Sequence, residues 1–238
     1  MRRRPIQTLV LAAALAGAGV AQAQVVNLNF TRKNVADGSA YGPLDRPSDQ
    51  APIPYVGDRF NEIYSVNKPV SGLIDSEGNT TRLRVSKFKT SPENAMAGRD
   101  TDSPMGRFVD SFMYVRTRRG GEGSPEPTTF NISGFAAMQA VPSLTLISTA
   151  NKPGRGATFT VNGQTLAVDD PVGAPDAHAF VEGQNYVTFR NLQADLRGRL
   201  QVSFVPTQES RYVALNGIQI QLSQDLASSQ VTEVTETP

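Results

Sequence analysis

Residues 211–222 read RYVALNGIQIQL, and the parity of their apolar side chains decides what kind of fold the chain adopts. Val213 and Leu215 fall on one parity; Ile218, Ile220 and Leu222 fall on the other. Successive side chains of a strand point to opposite faces, so an uninterrupted strand would divide the two sets between the two sides of a sheet. A tight hairpin at Asn216-Gly217 is one solution, but its first arm would be about four residues against a usual ~5–6. One extra residue at Asn216-Gly217, a bulge inside a single strand, restores a common apolar face. The expectation is therefore a kinked final core strand.

The same period of two runs back from that strand. In ATFTV, Ala157, Phe159 and Val161 oppose Thr158 and Thr160; Asn162-Gly163 follows, then QTLAV. Two alternating runs around Asn-Gly predict a hairpin, because both central turn residues need positive φ. NYVTFRNL sets Tyr186 and Thr188 opposite Val187 and Phe189, and RLQVSFV alternates Leu200, Val202 and Phe204 with Gln201 and Ser203. TTFNISGF and SLTLIST read as two more strands, and a further one spans residues 108–115. TRLRVSKF gives Leu83, Val85 and Lys87 one face. Between residues 37 and 58 the chain is dense in Pro, Gly and Asp, a long surface segment. No helical periodicity persists past the N-terminus. The expected fold is all-β, an antiparallel β-sandwich of eight to nine strands.

The N-terminus, MRRRPIQTLVLAAALAGAGVAQAQ, has a basic head, a small apolar run over residues 8–20, and Ala21-Gln22-Ala23. That order reads as a secretory signal peptide over residues 1–23, followed by a sandwich domain over 24–223 and a solvated Ser/Thr/Glu-rich tail over 224–238. Cleavage after Ala23 removes three arginines and no acids, taking 23 Lys+Arg to 20 against 22 Asp+Glu, a net charge near −2. No field remains to attract nucleic acid. No later run reaches the roughly 18 apolar residues of a membrane helix, so the expected location is secreted or periplasmic. With no cysteine and a single histidine, disulfide scaffolds, thiol catalysis and multi-His metal sites are excluded.

The order SGLIDSEGNTTRLRV, NISGF, GRGATFTVNGQTL, FVEGQNYVTFRNL and YVALNGIQI resembles the galactose-binding-domain-like jelly rolls of secreted bacterial proteins, over residues 25–223. Relatives often carry Trp-Asn where Phe60-Asn61 stands, and this chain has no Trp. The resemblance implies a β-sandwich, in a superfamily that mixes carbohydrate binders, protein binders and structural modules. Fold alone does not choose among them.

Catalytic patterns are weak. IDSEGN, residues 74–79, lacks the Gly before Asp that GDSL-type esterases need, and no later Asp-x-x-His supplies a base. No G-x-S-x-G elbow occurs, so DSEGN reads as a turn. Residues 99–106, RDTDSPMG, fail as an EF-type calcium loop at Pro104 and Met105. A structural calcium is the one cofactor the sequence leaves room for, on Asp37, Asp45, Asp49 and Asp58 of the long early segment, although solvent is the default partner of such acids.

Sugar recognition needs an aromatic face and planar polar neighbours. Tyr41, Tyr55 and Tyr64 fall in or beside the early segment, and Asn61, Arg155, His178 and Tyr212 are further ligand candidates by their proximity to loops. The leading expectation is an exported, non-catalytic binding module for a carbohydrate or other cell-envelope component. A structural or interaction protein with a partner protein is the rival, and a hydrolase with an unrecognised carboxylate pair is a weaker one. Exposed aromatics grouped with planar polar neighbours favour sugar binding, an open strand edge favours assembly, and close carboxylates in a cleft favour an enzyme.

Overall fold

The computed structural model describes residues 24–30, 51–53, 60–89, 95–96, 113–116, 127–150, 152–173, 178–207 and 212–223. In chain order the strands are β1 (Val25–Phe30), β2 (Asn61–Ile63), β3 (Val70–Ser71), β4 (Arg84–Val85), β5 (Ala95–Met96), β6 (Met113–Arg116) and β7 (Thr128–Ser133). They continue with β8 (Ala140–Ile147), β9 (Ala157–Val161), β10 (Gln164–Val168), β11 (Tyr186–Gln193), β12 (Arg199–Pro206), β13 (Tyr212–Leu215) and β14 (Gly217–Gln221). No helix occurs among the described residues.

A five-stranded sheet runs β11-β8-β14-β1-β2, a six-stranded sheet β10-β9-β12-β7-β4-β3, and a three-stranded sheet β13-β6-β5. Every pairing between these strands is antiparallel except β1 with β2. The fold is the all-β sandwich that the alternating runs predict.

In the six-stranded sheet β7, β9 and β12 bury every second residue, so one face meets the core and the other meets water. Phe130, Ile132, Phe159, Val161, Leu200, Val202 and Phe204 supply the buried side. From the five-stranded sheet come Val26, Leu28, Phe30, Leu144, Leu146, Val187, Phe189, Ile218 and Ile220, and the two sets form one continuous core. Phe88 bridges them, stacked on Phe130 at 4.3 Å and edge-on to Phe30 at 5.7 Å.

Phe88 also corrects one expectation. Leu83 and Val85 are buried, but Lys87 is exposed and Phe88 takes the inward place. Past Val85 the chain leaves regular pairing, with Ser86 N–H donating to Asn131 O and Phe88 N–H to Val66 O, so the strand parity is lost. β1, VVNLNF, was not anticipated. It is buried on both faces, its asparagines included. Of the strand expected over residues 108–115, the structure describes Met113–Arg116.

The Asn-Gly pairs behave in opposite ways. Asn162 (φ 47°) and Gly163 (φ 87°) are both left-handed and close the β9–β10 hairpin, with Val161 facing Gln164. Asn216 and Gly217 are not among the positive-φ residues, and β13 does not pair with β14. The chain continues forward through Asn216, whose N–H donates to Ile147 O (2.9 Å) while its carbonyl accepts Phe30 N–H (2.8 Å). Val213, Leu215, Ile218, Ile220 and Leu222 all reach the core, so the kink resets the parity. The same extended run belongs to two sheets, pairing with β6 before Asn216 and with β1 and β8 after it.

The Asn216 side chain is fully buried, and its Oδ1 accepts Thr149 N–H at 2.7 Å. Asn216→Ala leaves that buried donor without an acceptor, and the expected cost is about 1–3 kcal/mol in urea unfolding.

Candidate functional site

The outer face of the five-stranded sheet carries a polar row. Asn27 faces Gln219, Gln219 faces Thr145, and Thr145 faces Thr188. All four are buried, which is costly unless they are bonded. Gln219 Nε2 donates to Asn27 Oδ1 and to Ile53 O, both at 3.0 Å, and its Oε1 accepts Ile53 N–H at 2.8 Å. The glutamine amide thus holds the segment 51–53 over the sheet as a strand neighbour would. The Thr145 and Thr188 hydroxyls meet at 2.9 Å.

Beside this row, Asn61 Nδ2 donates to Asn27 O and Ile74 O, and its Oδ1 accepts Ile74 N–H. The amide ties β1 to the turn at residues 75–79. There Asp75 Oδ1 accepts Glu77 and Asn79 N–H, and buried Ser76 locks onto Val25 through both main chain and hydroxyl. DSEGN is the turn its composition predicts.

One row further on, the outer face turns aromatic. Ile147, opposite Tyr186, is surrounded by Ala51, Phe60, Phe180 and Tyr186. Phe180 and Tyr186 meet edge-on at 6.1 Å and 74°. Tyr186 is half-buried, and Glu182 and Arg190 stand exposed beside it. Their carboxylate and guanidinium pair in a two-pronged contact, 3.1 Å on each arm, while Glu182 Oε1 also accepts Thr188 N–H. The Arg190 hydrogen bonds hold the Glu182 carboxyl below its usual range, and the same bonds raise Arg190. Partial burial, with the Glu182 charge second, raises the Tyr186 phenol. A half-open ring next to a fixed planar fork suits a ligand with one apolar face and several hydroxyls.

A second polar cluster lies where β8 and β10 end and β11 begins. Asp170, 1% exposed and at φ 46°, receives the Thr149 hydroxyl (2.6 Å) and Ala150 N–H (3.0 Å). Burial pushes its carboxyl up to about 6; the Thr149, Ala150 and Gly173 donors and the Arg155 charge pull the other way. Gly154 N–H donates to its carbonyl, and its own N–H donates to Gln184 O. Through Thr149 the kink at Asn216 and the loop at Asp170 belong to one buried network.

No family model matches the chain, and no curated protein matches it. Solved structures of similar fold include the YXIM protein of Bacillus subtilis, at 10% identity over 84% of this chain and 40% of that one, TM-score 0.43. A family 35 carbohydrate-binding module from Clostridium thermocellum shares 16% identity over 57% of this chain and 92% of its own, TM-score 0.33. The CBM36-1 domain of a multidomain xylanase from the hindgut metagenome of Trinervitermes trinervoides shares 11% over 57% and 96%, TM-score 0.31. The chain spans less than half the length of the Bacillus protein. The carbohydrate-binding modules among these have galactose-binding-like jelly-roll folds. At such identity no role follows from them.

The residues chosen from sequence do not gather at one place. Asn61 is committed to internal bonds, while Tyr64 stands 37% exposed, its phenol raised by burial and by Glu62. Arg155 lies at the Asp170 cluster, and His178 is exposed at the start of the segment leading to Tyr186. Tyr212 sits in β13 opposite Arg116. Tyr41, Tyr55, Asp37, Asp45, Asp49 and Asp58 lie outside the described residues. Among the described residues no group of three His, Asp or Glu is placed to hold a metal, and no helix is long and apolar enough to cross a membrane.

Tyr186, Glu182, Arg190 and Asp170 were missed. The alternation of NYVTFR already put Tyr186, an aromatic, on the face away from the core, and that was the available signal. For Asp170 there was none, since Asp-Asp-Pro after a strand reads as any turn.

Proposed function

We propose that this protein is an exported, non-catalytic carbohydrate-binding module whose ligand rests on Tyr186 beside the paired Glu182 and Arg190. One observation carries the reading: a half-exposed aromatic ring on the outer sheet face, flanked by an exposed, mutually braced carboxylate and guanidinium. The polarised C–H face of a sugar ring meets the negative face of an aromatic, and charged planar groups bond adjacent hydroxyls more strongly than neutral ones. Because the fork is already ordered by its own contacts, little side-chain entropy is lost on binding. The basic head, apolar run and Ala-Gln-Ala of residues 1–23 support export. Asp170, the buried carboxyl with the raised pKa, has its oxygens turned to internal donors and is 1% exposed, so it offers a substrate nothing.

The test is a glycan-array screen of the purified chain, followed by titration of any hit with Tyr186→Ala, Tyr186→Phe and Arg190→Ala. Tyr186→Ala and Arg190→Ala are each expected to weaken binding roughly tenfold or more, about 1.4 kcal/mol, and Tyr186→Phe to keep most of it. Absence of any glycan hit, or a Tyr186→Ala protein that binds as the parent does, overturns the assignment. Running each titration with and without calcium separates a structural ion from a ligand contact.

A further inference from the structure

On the outer face of the six-stranded sheet the pairing registers set the side chains in transverse rows. One row runs Ser71-Arg84-Ser133-Arg199 and the next Ser86-Asn131-Gln201. The third runs Lys89-Thr129-Ser203-Thr160-Thr165. Every member is polar, none is acidic or aromatic, and all are half-buried or exposed. The face is therefore open to water.

A local irregularity concentrates charge along one side of it. Ser86 bonds to Asn131 and Lys89 pairs with Thr129, so two residues, Lys87 and Phe88, stand opposite Phe130 alone. Phe88 turns in to stack on that ring, and Lys87 stays outside. Arg84, Lys87 and Lys89 thus lie exposed within one short stretch, with exposed Arg82 just before them. Among the described residues these side chains make no ion pair or hydrogen bond, nor do the side-chain amides of Asn131 and Gln201. Arg199 differs, because Asp195 Oδ2 accepts its Nε (3.0 Å) and Nη2 (2.8 Å). The other Asp195 oxygen takes the Arg197 and Arg199 N–H groups, so that acid is already matched.

The whole chain is close to neutral, at +1, so cations grouped on one face are segregated rather than spread. Each exposed charge contact is weak in water, and a partner that gains from this face must touch several at once. Arg84 and Arg199 stand two strands apart, about 10 Å, and Lys89 lies roughly 15 Å along the margin from Arg84. Amides and hydroxyls fill the space between, which suits sugar hydroxyls and gives a nucleic-acid base no ring to stack on. We propose that this face binds a linear acidic polysaccharide whose rings carry carboxylates. The carboxylates meet Arg84, Lys87 and Lys89, as charge-assisted bonds, and the ring hydroxyls lie over Asn131 and Gln201. The face belongs to the other sheet from Tyr186 and does not depend on that site.

Affinity electrophoresis of the full chain through gels containing polygalacturonate is the test, with its methyl-esterified form and single-stranded DNA as comparisons. The polyuronate is expected to retard the protein, less so as salt rises, and the uncharged ester to leave it unretarded. Arg84→Ala and Lys89→Glu remove exposed side chains that hold nothing else, and each is expected to raise the dissociation constant roughly fivefold. Lys152→Glu changes the net charge as much as Lys89→Glu but lies exposed between β8 and β9, and it is expected to bind as the parent does. Tyr186→Ala is expected to bind the polyuronate unchanged. No retardation at low salt overturns the proposal, as does equal weakening by Lys152→Glu and Lys89→Glu. DNA held as tightly as the polyuronate overturns the choice of partner. Loss of polyuronate binding in Tyr186→Ala also overturns it, by moving the contact to the other face.

Discussion

Asp170→Asn is expected to abolish a loss of stability that the parent protein shows as pH rises from about 4 to about 7. In the unfolded chain this carboxyl titrates near its ordinary 3.8; in the fold it titrates at about 6. Between the two values the folded state keeps a proton that the unfolded state has released. The contribution is therefore full below the unfolded pKa and is lost as pH climbs through the folded one. A gap of roughly two units corresponds to about 3 kcal/mol at ~1.36 kcal/mol per unit. Urea unfolding across that pH range measures it, and parallel profiles for parent and Asp170→Asn would refute the assignment. Asp170→Ala goes further, because the Thr149 hydroxyl and the Ala150 and Gly173 N–H groups lose their shared acceptor. An alanine must also accept φ 46°. With about 1–3 kcal/mol per buried orphan, partly relieved by entering water, a cost of about 3 kcal/mol or more is expected at every pH.

Phe204→Ala is expected to lower the unfolding free energy by about 3–5 kcal/mol. Phe204 is 1% exposed in the middle of β12, directly across from Phe159, with ring centroids 5.6 Å apart. Strands hold it on both sides, β7 through Thr128 and β9 through Phe159, so the cavity left by the ring has little means to collapse. Phe204→Leu keeps most of the volume and should cost about 1.5 kcal/mol or less. For a domain with ~5–15 kcal/mol in total, the alanine variant should show a far lower urea midpoint at an unchanged slope. An alanine variant within about 1 kcal/mol of the parent would mean that this part of the core is not closely packed.

The strands of the second half were legible because local and tertiary demands agree there. Alternation and the Asn162-Gly163 turn each had a single economical solution, and the structure adopts it. The parity break at Asn216 left two, a hairpin or a kinked strand; the chain kinks, passing from one sheet to another rather than bulging within one. β1 was not legible for a physical reason. Asn27 and Asn29 make VVNLNF look half-solvated, whereas the outer face is closed by a segment that Gln219 holds from 166 residues away along the chain. Lys87 and Phe88 exchanged roles because two main-chain bonds, to Asn131 of β7 and to Val66 between β2 and β3, set the path after Val85 in place of the local pattern. The same holds for the candidate site. The outward face of Tyr186 could be read from alternation, but its setting depends on residues 178–185 doubling back, so that Glu182 bridges to Tyr186 and reaches Arg190. Sequence spacing carries no record of such a return.

The pairing of β1 with β14 joins segments 192 residues apart and places both inside the five-stranded sheet rather than at its margin. Closing so long a loop is entropically expensive before any contact repays it, and folding slows as contacts become more distant in sequence. During synthesis, β1 leaves the ribosome well before β14, and its partner exists only after the 192 residues that separate them have been made. Until then β8 lacks the neighbour that joins it to β1, and the sheet has a gap at its centre. The topology thus acts as a timer, keeping the nascent chain open until translation has passed β14.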